Sequence, residues 1–136
     1  MEIKILFARI THAKDLAKID KIANEEFKWW HLSTENHFEK AIRKSKYLIV
    51  VAKDGDKIVG YLEANFKDDK KTIWIENIYT IKKSRNRKIA KRLLGAFVKH
   101  WKCKVDNIVL LTADRNKMTF ERLGFKKTMN YMELID

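Results

Sequence analysis

The feature that most constrains the fold of this chain is a basic, acid-free segment at the boundary between strand-like and helix-like sequence. From Asn77 to Val105 there are ten Lys and Arg residues and no Asp or Glu. The apolar stretch Thr72–Ile81 leads into this segment, and apolar residues of Arg87–Trp101 recur at helical spacing. The sequence therefore predicts a strand, a basic loop and an amphipathic helix in that order.

The cations of this segment stand where helix electrostatics disfavours them. They are densest from Lys82 to Arg92, around the predicted start of the helix. Aligned peptide dipoles already place about half a positive charge at that end, so each further cation costs roughly a few tenths of a kcal/mol. An anion bound to the exposed amides of the first turn would offset this cost. The segment therefore predicts a phosphate-bearing ligand.

Composition limits the class of protein. The net charge is +12, and ten cations lie in the acid-free segment, so the rest of the chain is nearly neutral. A length of 136 residues with 46% apolar residues favours a packed core and a single domain over residues 1–136. One cysteine excludes an internal disulfide, and no ligand pattern predicts a metal. The sequence has no membrane-length apolar run and no secretion signal, so we expect a cytoplasmic protein.

Hydrophobic patterning predicts an α/β layer protein with a mixed sheet, in the order β-α-α-β-β-β-α-β-α-β. The predicted strands are residues 3–10, 47–53, 57–66, 72–81, 107–113 and 125–135, and the predicted helices follow Thr11 and cover Thr34–Lys44, Arg87–Trp101 and Asn116–Leu123. Thr11 and Thr34 are expected helix N-caps, and Gly124 an expected C-cap. Asp54-Gly55 is typical of a hairpin turn. The wholly apolar stretch 107–113 is typical of a central strand.

This order and two local motifs resemble the GNAT superfamily of acetyl-CoA-dependent N-acetyltransferases. In that family a strand ends shortly before an Arg/Gln-x-x-Gly-x-Gly/Ala loop, which opens a long helix. Here Thr80 ends the strand and Arg85–Ala90 occupies the loop, within IYTIKKSRNRKIAKRLL. FERLGF (Phe120–Phe125) is similar to the family's Tyr-Glu-x-Leu-Gly-Phe. The resemblance covers nearly the whole chain and implies a mostly antiparallel sheet with helices on both faces.

The resemblance implies an acetyl-CoA site around the loop. Backbone amides of the loop would hold the CoA pyrophosphate and the basic side chains would assist, involving Arg85, Asn86, Arg87, Lys88, Ile89, Ala90 and Lys91. The strand before the loop would bind the pantetheine arm through Ile78, Tyr79 and Thr80. A backbone amide near Ile78 or Tyr79 is the expected donor to the thioester oxygen.

The sequence departs from the family pattern at two positions. Lys88 replaces the first loop glycine, and we expect it to keep a helical conformation with its Cβ pointing away from the ligand. Phe120 replaces the tyrosine that often protonates the departing CoA thiolate, so either the thiolate leaves unprotonated or another donor serves. Asn116 and Phe120 are carried over from the family as cofactor contacts.

Three residues are candidates for proton transfer. Glu76 is the first candidate for the base that deprotonates the acceptor ammonium, because it is the acid of the strand before the loop. Glu63 is the second candidate and is assigned to the substrate site, and Tyr131 is the candidate acid. Each has an alternative: Glu76 faces solvent or pairs with a lysine, Glu63 is a solvated strand residue, and Tyr131 is a packing residue.

The acceptor is expected near Trp29 and Trp30, in the connection that helps to form the acceptor site in the family. The alternative is that one tryptophan anchors the helices to the core. The predicted reaction is acetyl transfer to a primary amine of a small molecule, a protein N-terminus or a lysine. The alternative function is a non-catalytic module that senses CoA or binds nucleic acid through residues 82–92. The sequence does not decide the oligomeric state, and a homodimer is one of the alternatives.

Overall fold

The computed structural model describes residues 2–28, 32–67, 71–111, 117–128, 132 and 134. Its strands are β1 (Ile3–Phe7), β2 (Ile49–Asp54), β3 (Lys57–Phe66), β4 (Thr72–Thr80) and β5 (Asn107–Val109). Its helices are α1 (Ala13–Phe27), α2 (Glu35–Lys44), α3 (Ile89–Trp101) and α4 (Lys117–Arg122), with short 3-10 helices at Ile10–His12 and Lys82–Ser84. The order of elements agrees with the predicted order up to α4.

The described strands form one mixed sheet in the order β1-β2-β3-β4-β5. Strands β1 to β4 pair antiparallel with their neighbours, and β4 pairs parallel with β5. Tyr61 on β3 bonds Asp20 on α1, whereas a Cβ at the preceding Gly60 would lie 3.3 Å from Ile89 on α3. Successive strand residues point to opposite faces, so α1 and α3 cover the two faces of the sheet.

The core lies on both sides of β2 and β3. Fully buried residues of the sheet include Val50, Val51 and Leu62. The helices contribute buried apolar side chains at helical spacing, which are Leu16, Ile19 and Ala23 on α1, Phe38 and Ile42 on α2, and Ile89, Leu93, Leu94, Phe97 and Trp101 on α3. Burying each large side chain contributes roughly 1.5–3 kcal/mol. This burial fixes α3 on the sheet and so fixes the position of the basic loop.

The two predicted N-caps have different outcomes. The Thr34 side chain accepts a hydrogen bond of 3.1 Å from the His37 amide, as predicted. The Thr11 prediction is wrong, because Thr11 lies inside the 3-10 helix and α1 begins at Ala13 without a side-chain cap. A 3-10 hydrogen bond from the His12 amide to the Arg9 carbonyl, 2.8 Å long, leads the chain into the helix instead.

The C-terminal part agrees with the sequence only in places. Gly124 has φ +97° and ends α4, and the Phe125 amide donates to the Phe120 carbonyl, as in a Schellman motif. Residues 125–128, 132 and 134 are not in a strand, and the other residues of the predicted last strand lie outside the described residues. Strand β5 ends at Val109, earlier than expected, and it stands at the edge of the described sheet rather than at its centre.

Candidate active site

An opening between β4 and β5 is the first element of the candidate site. The two strands pair only from Thr72 to Trp74, against Asn107–Val109. Strand β4 continues to Thr80, so among the described residues the stretch from Ile75 onward has no β5 partner. A strand edge without a neighbouring strand offers backbone donors and acceptors to a ligand. Ile78, Tyr79 and Thr80 lie on this stretch.

A β-bulge accompanies this opening. Glu63 pairs with Asn77 while the next residue, Ala64, pairs with Ile75, so Glu76 is the extra residue of β4. A bulge bends its strand and increases the local twist, which is consistent with β4 parting from β5 here. Glu76 itself is exposed. Bulges are common beside active sites, where they re-aim side chains.

The loop before α3 is built from residues with unusual backbone conformations. Asn86 has φ +69° and Lys88 has φ +58°, both in the left-handed region. Lys88 is the N-cap residue of α3 and makes no side-chain cap hydrogen bond. The first amides of a helix have no intrahelical partner, and left-handed residues beside them form a concave group of N–H donors. This arrangement can hold a phosphate.

The expectation that Lys88 keeps a helical conformation is wrong. Its ψ of 25° and φ of 58° place it in the left-handed region, where a side chain with a Cβ costs about 1–2 kcal/mol. The family glycine would adopt this conformation without that cost. Lys88 therefore has a backbone conformation that suits glycine, and it carries the strain.

The Arg85 side chain is half-buried and has partners on two other elements. Its Nη1 and Nη2 lie 2.7 and 2.8 Å from the two carboxylate oxygens of Glu26, at the end of α1. Its Nε donates to the Thr80 carbonyl at 3.0 Å. A side chain with these partners ties α1 to the end of β4. The Arg85 backbone N–H also donates within the chain, to the Lys82 carbonyl at 3.3 Å. We therefore expect Arg85 to position the loop and not to contact a phosphate through its guanidinium.

Tyr79 belongs to the same cluster. Its hydroxyl donates to Glu26 Oε1 at 2.8 Å. Burial, together with this hydrogen bond, raises the pKa of Tyr79 to about 12. The hydrogen bonds from Arg85, and next from Tyr79, lower the pKa of the Glu26 carboxyl. At neutral pH the phenol therefore stays protonated and committed to an ionised Glu26.

A buried carboxylate lies beside the bulge, on the α1 and α2 face of the sheet. Glu63 is only 4% exposed, so the interpretation of Glu63 as a solvated strand residue is wrong. Its Oε2 lies 2.6 Å from His37 Nε2, and its Oε1 accepts from Asn77 Nδ2 at 3.3 Å. Sequence reasoning missed His37. The available signal was its position on α2 beside the inward-facing Phe38.

A second buried carboxylate anchors the connection between α1 and α2. Asp20 is 1% exposed and accepts from the Tyr61 hydroxyl at 2.7 Å and from the Ser33 amide at 2.8 Å. Burial, followed by the hydrogen bond to Asp20, raises the pKa of the Tyr61 phenol. These bonds fix the C-terminal end of the connection to β3 and so position the segment where the acceptor is expected.

The remaining predicted residues have mixed outcomes. Trp29, Trp30, Asn116 and Tyr131 lie outside the described residues. Phe120 is partly buried and packs against Phe125, with ring centroids 6.1 Å apart. Its phenyl ring has no proton to donate, so Phe120 cannot take the role of the tyrosine that stands at this position in the family.

A separate cleft of about 800 Å³ lies between α1, the β2–β3 turn and the end of β4. It is lined by Asp15, Lys18, Ile19, Ile22, Asp54, Asp56, Lys57, Ile58, Ile81, Lys82 and Lys83. In this cleft the side chain of Lys83 interacts with that of Lys57 and lowers the pKa of Lys57. None of the predicted site residues that the structure describes lines this cleft, so we place the candidate site at the β4–β5 opening.

Two negative findings apply to the part of the chain that the structure describes. No helix there is both long enough and apolar enough to cross a membrane. No group of three or more His, Cys, Asp and Glu side chains there is arranged to hold a metal ion.

Comparison with known proteins assigns the chain to a family. A sequence model of the Acetyltransferase (GNAT) family matches residues 16–125, which is most of the chain. The chain belongs to this family. It is therefore an acyltransferase, with acetyl-CoA as its co-substrate. A search of curated proteins found no match.

Solved structures with a similar fold extend over nearly the whole chain. A Clostridium acetobutylicum protein described as a predicted acetyltransferase, solved with acetyl-CoA, is 18% identical with a TM-score of 0.70, covering 98% of this chain and 96% of its own. Arabidopsis thaliana glucosamine-6-phosphate N-acetyltransferase is 18% identical with a TM-score of 0.73, covering 99% of each chain. An aminoglycoside acetyltransferase from an uncultured soil metagenomic sample, in complex with trehalose, is 16% identical with a TM-score of 0.72, covering 98% and 97%. At these identities the likeness establishes the fold alone, and it agrees with the predicted GNAT-like class.

Proposed function

We propose that this protein is an N-acetyltransferase that moves the acetyl group of acetyl-CoA to a primary amine by direct attack on the thioester. The acceptor amine belongs to a small molecule, a protein N-terminus or a lysine. One observation carries the proposal: the part of β4 that extends beyond its pairing with β5 leads directly into a loop whose left-handed residues precede the start of α3, which has no side-chain cap. This arrangement suits an extended arm that ends in a diphosphate.

The proposed cofactor contacts follow the order of the chain. The pantetheine arm pairs with the β4 edge at Ile78–Thr80, and an amide near Ile78 or Tyr79 donates to the thioester oxygen. Such a donor stabilises the developing oxyanion and is worth roughly 10²–10³ in rate. The pyrophosphate binds the amides of Asn86–Ala90, with Lys88 and Lys91 adding positive charge. Thr80 Oγ1 supports this placement, because it is buried and has no hydrogen-bond partner among the described residues.

The departing CoA does not need a donor from Phe120. A thiol with a pKa near ~8.5 is a tolerable leaving group as the thiolate. Tyr79 is an unsuitable donor, because its proton is held by Glu26 and the pKa of Tyr79 is raised to about 12. Tyr131 remains our candidate for a donor, and Trp29 and Trp30 remain our candidates for the acceptor wall.

Glu76 and Glu63 remain the proposed carboxylates of the acceptor side. Glu76 is exposed at the bulge, so a water molecule can reach it, and a carboxylate can deprotonate an ammonium through such a water. Glu63 is buried and already shares its oxygens with His37 and Asn77. These positions support a positioning role for Glu63 rather than direct contact with the acceptor.

Thiol release tests the proposed function. The purified protein is incubated with acetyl-CoA and a panel of alkylamines, amino sugars and peptides, and free CoA thiol is measured against time. We expect acceptor-dependent release with at least one amine, and mass spectrometry should find the acetylated product. A protein that binds acetyl-CoA but releases no thiol with any member of the panel would contradict catalysis and favour a CoA-sensing module.

The nucleic-acid alternative has less support from the contacts. Three arginines of the basic segment are engaged within the chain: Arg85 with Glu26, Arg87 with Asp54 at 3.8 Å, and Arg92 with the Ile3 carbonyl at 2.9 Å. Binding through phosphate contacts would weaken steeply as salt rises. A fluorescent single-stranded oligonucleotide, titrated at two salt concentrations, distinguishes this alternative from CoA binding.

A further inference from the structure

We propose that His37 is the group that accepts the proton of the acceptor ammonium, with Glu63 as the residue that positions it. This inference rests on the proposed function, because it concerns the acceptor side of acetyl transfer. It adds a histidine that neither the sequence motifs nor the family match assigns.

The contact between His37 and Glu63 is the starting observation. Glu63 Oε2 lies 2.6 Å from His37 Nε2, and the Glu63 side chain is 5% exposed. A buried carboxylate requires polar partners, and its two oxygens find them in His37 and Asn77. The carboxylate therefore has a fixed position, and so does the imidazole bound to it.

This hydrogen bond selects one tautomer of His37. An ionised carboxylate only accepts hydrogen bonds, so Nε2 carries the proton and donates it to Glu63. In the neutral ring Nδ1 then holds the lone pair that can accept a proton. The His37 side chain keeps 46% of its exposure, so the ring remains accessible from solvent. The His37 ring also lies edge-on to the Phe38 ring, with centroids 5.1 Å apart.

The pair lies beside the place where the thioester is expected. Glu63 pairs across the sheet with Asn77. Asn77 directly precedes Ile78, on the part of β4 that extends beyond its pairing with β5. Asn77 also donates its side-chain amide to Glu63. The dyad therefore stands on the α1 and α2 face of the sheet at the level of the proposed oxyanion donor, where an incoming amine would approach the acetyl group.

The proposed step is balanced as follows. The acceptor ammonium gives one proton to His37 Nδ1, which leaves a neutral amine and an imidazolium paired with Glu63. The amine nitrogen attacks the thioester carbonyl carbon, a C–N bond forms, and the C–S bond breaks to release the CoA thiolate. The second nitrogen proton neutralises the thiolate, and the imidazolium returns its proton to solvent. General-base assistance of this kind contributes roughly 10²–10⁴ in rate.

A comparison of two acceptors tests the role of His37. One is an alkylamine, which is an ammonium ion at neutral pH, and the other is an aryl hydrazide or aromatic amine, which is already neutral. We expect His37→Gln to lower kcat about 100-fold with the alkylamine, while the rate with the neutral acceptor changes less than about threefold. The KM for acetyl-CoA should stay unchanged. An equal loss with both acceptors would overturn the proposal, since a structural defect does not distinguish them.

Matched variants keep the test decisive. Glu63→Gln retains the shape of the side chain but removes its charge. We expect it to lower kcat with the alkylamine about 10-fold, against about 100-fold for His37→Gln, and to have little effect with the neutral acceptor. Glu35→Gln, an exposed carboxylate on the same helix, should leave both rates unchanged. Glu76→Gln provides the rival outcome: an acceptor-dependent loss there, together with an unaffected His37→Gln, would assign the proton transfer to Glu76 instead.

A spectroscopic readout separates this inference from the proposed function. Nitrogen-15 spectra of histidine-labelled protein should show His37 protonated at Nε2, and Glu63→Gln should shift that signal. If His37 carries its proton on Nδ1, the inference fails even when the enzyme is active. If the wild-type protein acetylates neither acceptor, the proposed function fails, and the inferred role of His37 fails with it.

Discussion

At the scale of single residues, Lys88 is the strained position of the loop before α3. The left-handed backbone at Lys88 is the conformation that a glycine adopts without strain. Asn86, the other left-handed residue of the loop, belongs to the few residue types that tolerate this region. The strain of the loop is therefore concentrated at one lysine, next to the proposed phosphate contacts.

Replacing this lysine tests that interpretation. In Lys88→Gly the relief of about 1–2 kcal/mol of backbone strain is offset by roughly 0.5–1 kcal/mol of extra unfolded-state entropy, so we expect stability to rise by at most about 1.5 kcal/mol. Affinity for acetyl-CoA should rise, because a bare backbone can approach a phosphate more closely. Urea unfolding and calorimetry measure both quantities.

Lys91→Gly is the matched control for that substitution. Lys91 lies inside α3, where glycine costs about 1 kcal/mol relative to a good helix former. We therefore expect Lys91→Gly to destabilise the protein. A similar destabilisation by Lys88→Gly would show that Lys88 is not strained.

At the scale of elements, the position of α3 against the sheet depends on a glycine. A Cβ at Gly60 on β3 would lie 2.9 Å from the Tyr79 carbonyl and 3.3 Å from Ile89 Cγ2. Both neighbours belong to the candidate site: Tyr79 lies on β4 beyond its pairing with β5, and Ile89 lies in the first turn of α3. The close packing of these elements therefore needs a residue without a side chain.

Gly60→Ala should separate β4 from α3. We expect a loss of about 1–3 kcal/mol in the free energy of unfolding from overpacking, and weaker binding of acetyl-CoA. Gly95→Ala is the control, because a Cβ there meets nothing within 4 Å and alanine favours the helix. Chemical denaturation of the two variants measures the contrast. Equal stability of Gly60→Ala and the wild type would contradict the close packing.

The link between α1 and the basic loop should depend on pH. The pKa of Glu26 is lowered in the folded protein, first by the hydrogen bonds from Arg85 and then by that from Tyr79. A group of this kind stabilises the fold above its ordinary pKa of about 4.3 and loses that contribution as the pH falls through its folded pKa. The Tm difference between wild type and Glu26→Gln should therefore be present at pH 7 and vanish in acid.

Thermal melts from pH 7 down to about pH 3 test this sign, since the ordinary carboxyl pKa lies between them. Glu25→Gln, one residue earlier on α1, provides the comparison. A Tm difference for Glu26→Gln that grew as the pH fell would contradict the proposed ion pair.

At the scale of the whole molecule, the order of elements was predictable and the contacts between distant elements were not. The hairpin pattern predicted the bounds of β3 as residues 57–66, and local turn chemistry placed Gly55 and Gly124 correctly. The pairing of His37 with Glu63 joins residues 26 positions apart, and that of Arg85 with Glu26 joins residues 59 apart. Such pairs depend on sheet register and helix docking, which no local pattern encodes.

The same limit explains the errors at Thr11 and at β5. A threonine before a helical pattern predicts a cap, yet the chain enters α1 through a 3-10 turn that local propensity does not reveal. An apolar run predicts burial on both faces, but it does not state how many of its residues remain paired once β4 bends away.

The whole-molecule prediction concerns ligand-linked stability. A ligand that binds only the native state stabilises it by about 2.7 kcal/mol at 100 times its Kd. Acetyl-CoA should therefore raise the Tm by several degrees, whereas S-acetylpantetheine, which lacks the diphosphate, should have little effect at the same concentration. Differential scanning fluorimetry measures both. Equal shifts would show that the basic loop does not contact phosphates.

The single extra residue in β4 determines which face of the sheet each later side chain of that strand occupies. With Glu76 accommodated, Asn77 and Tyr79 share a face with Glu63 and Tyr61 and point toward α1. In an uninterrupted ladder that continued the pairing of Ala64 with Ile75, Glu76 and Ile78 would take those places, and each side chain after the slip would change sides. One inserted amino acid thus decides which half of the protein receives the polar chemistry, so lengthening or trimming this strand by one residue would exchange the two sides.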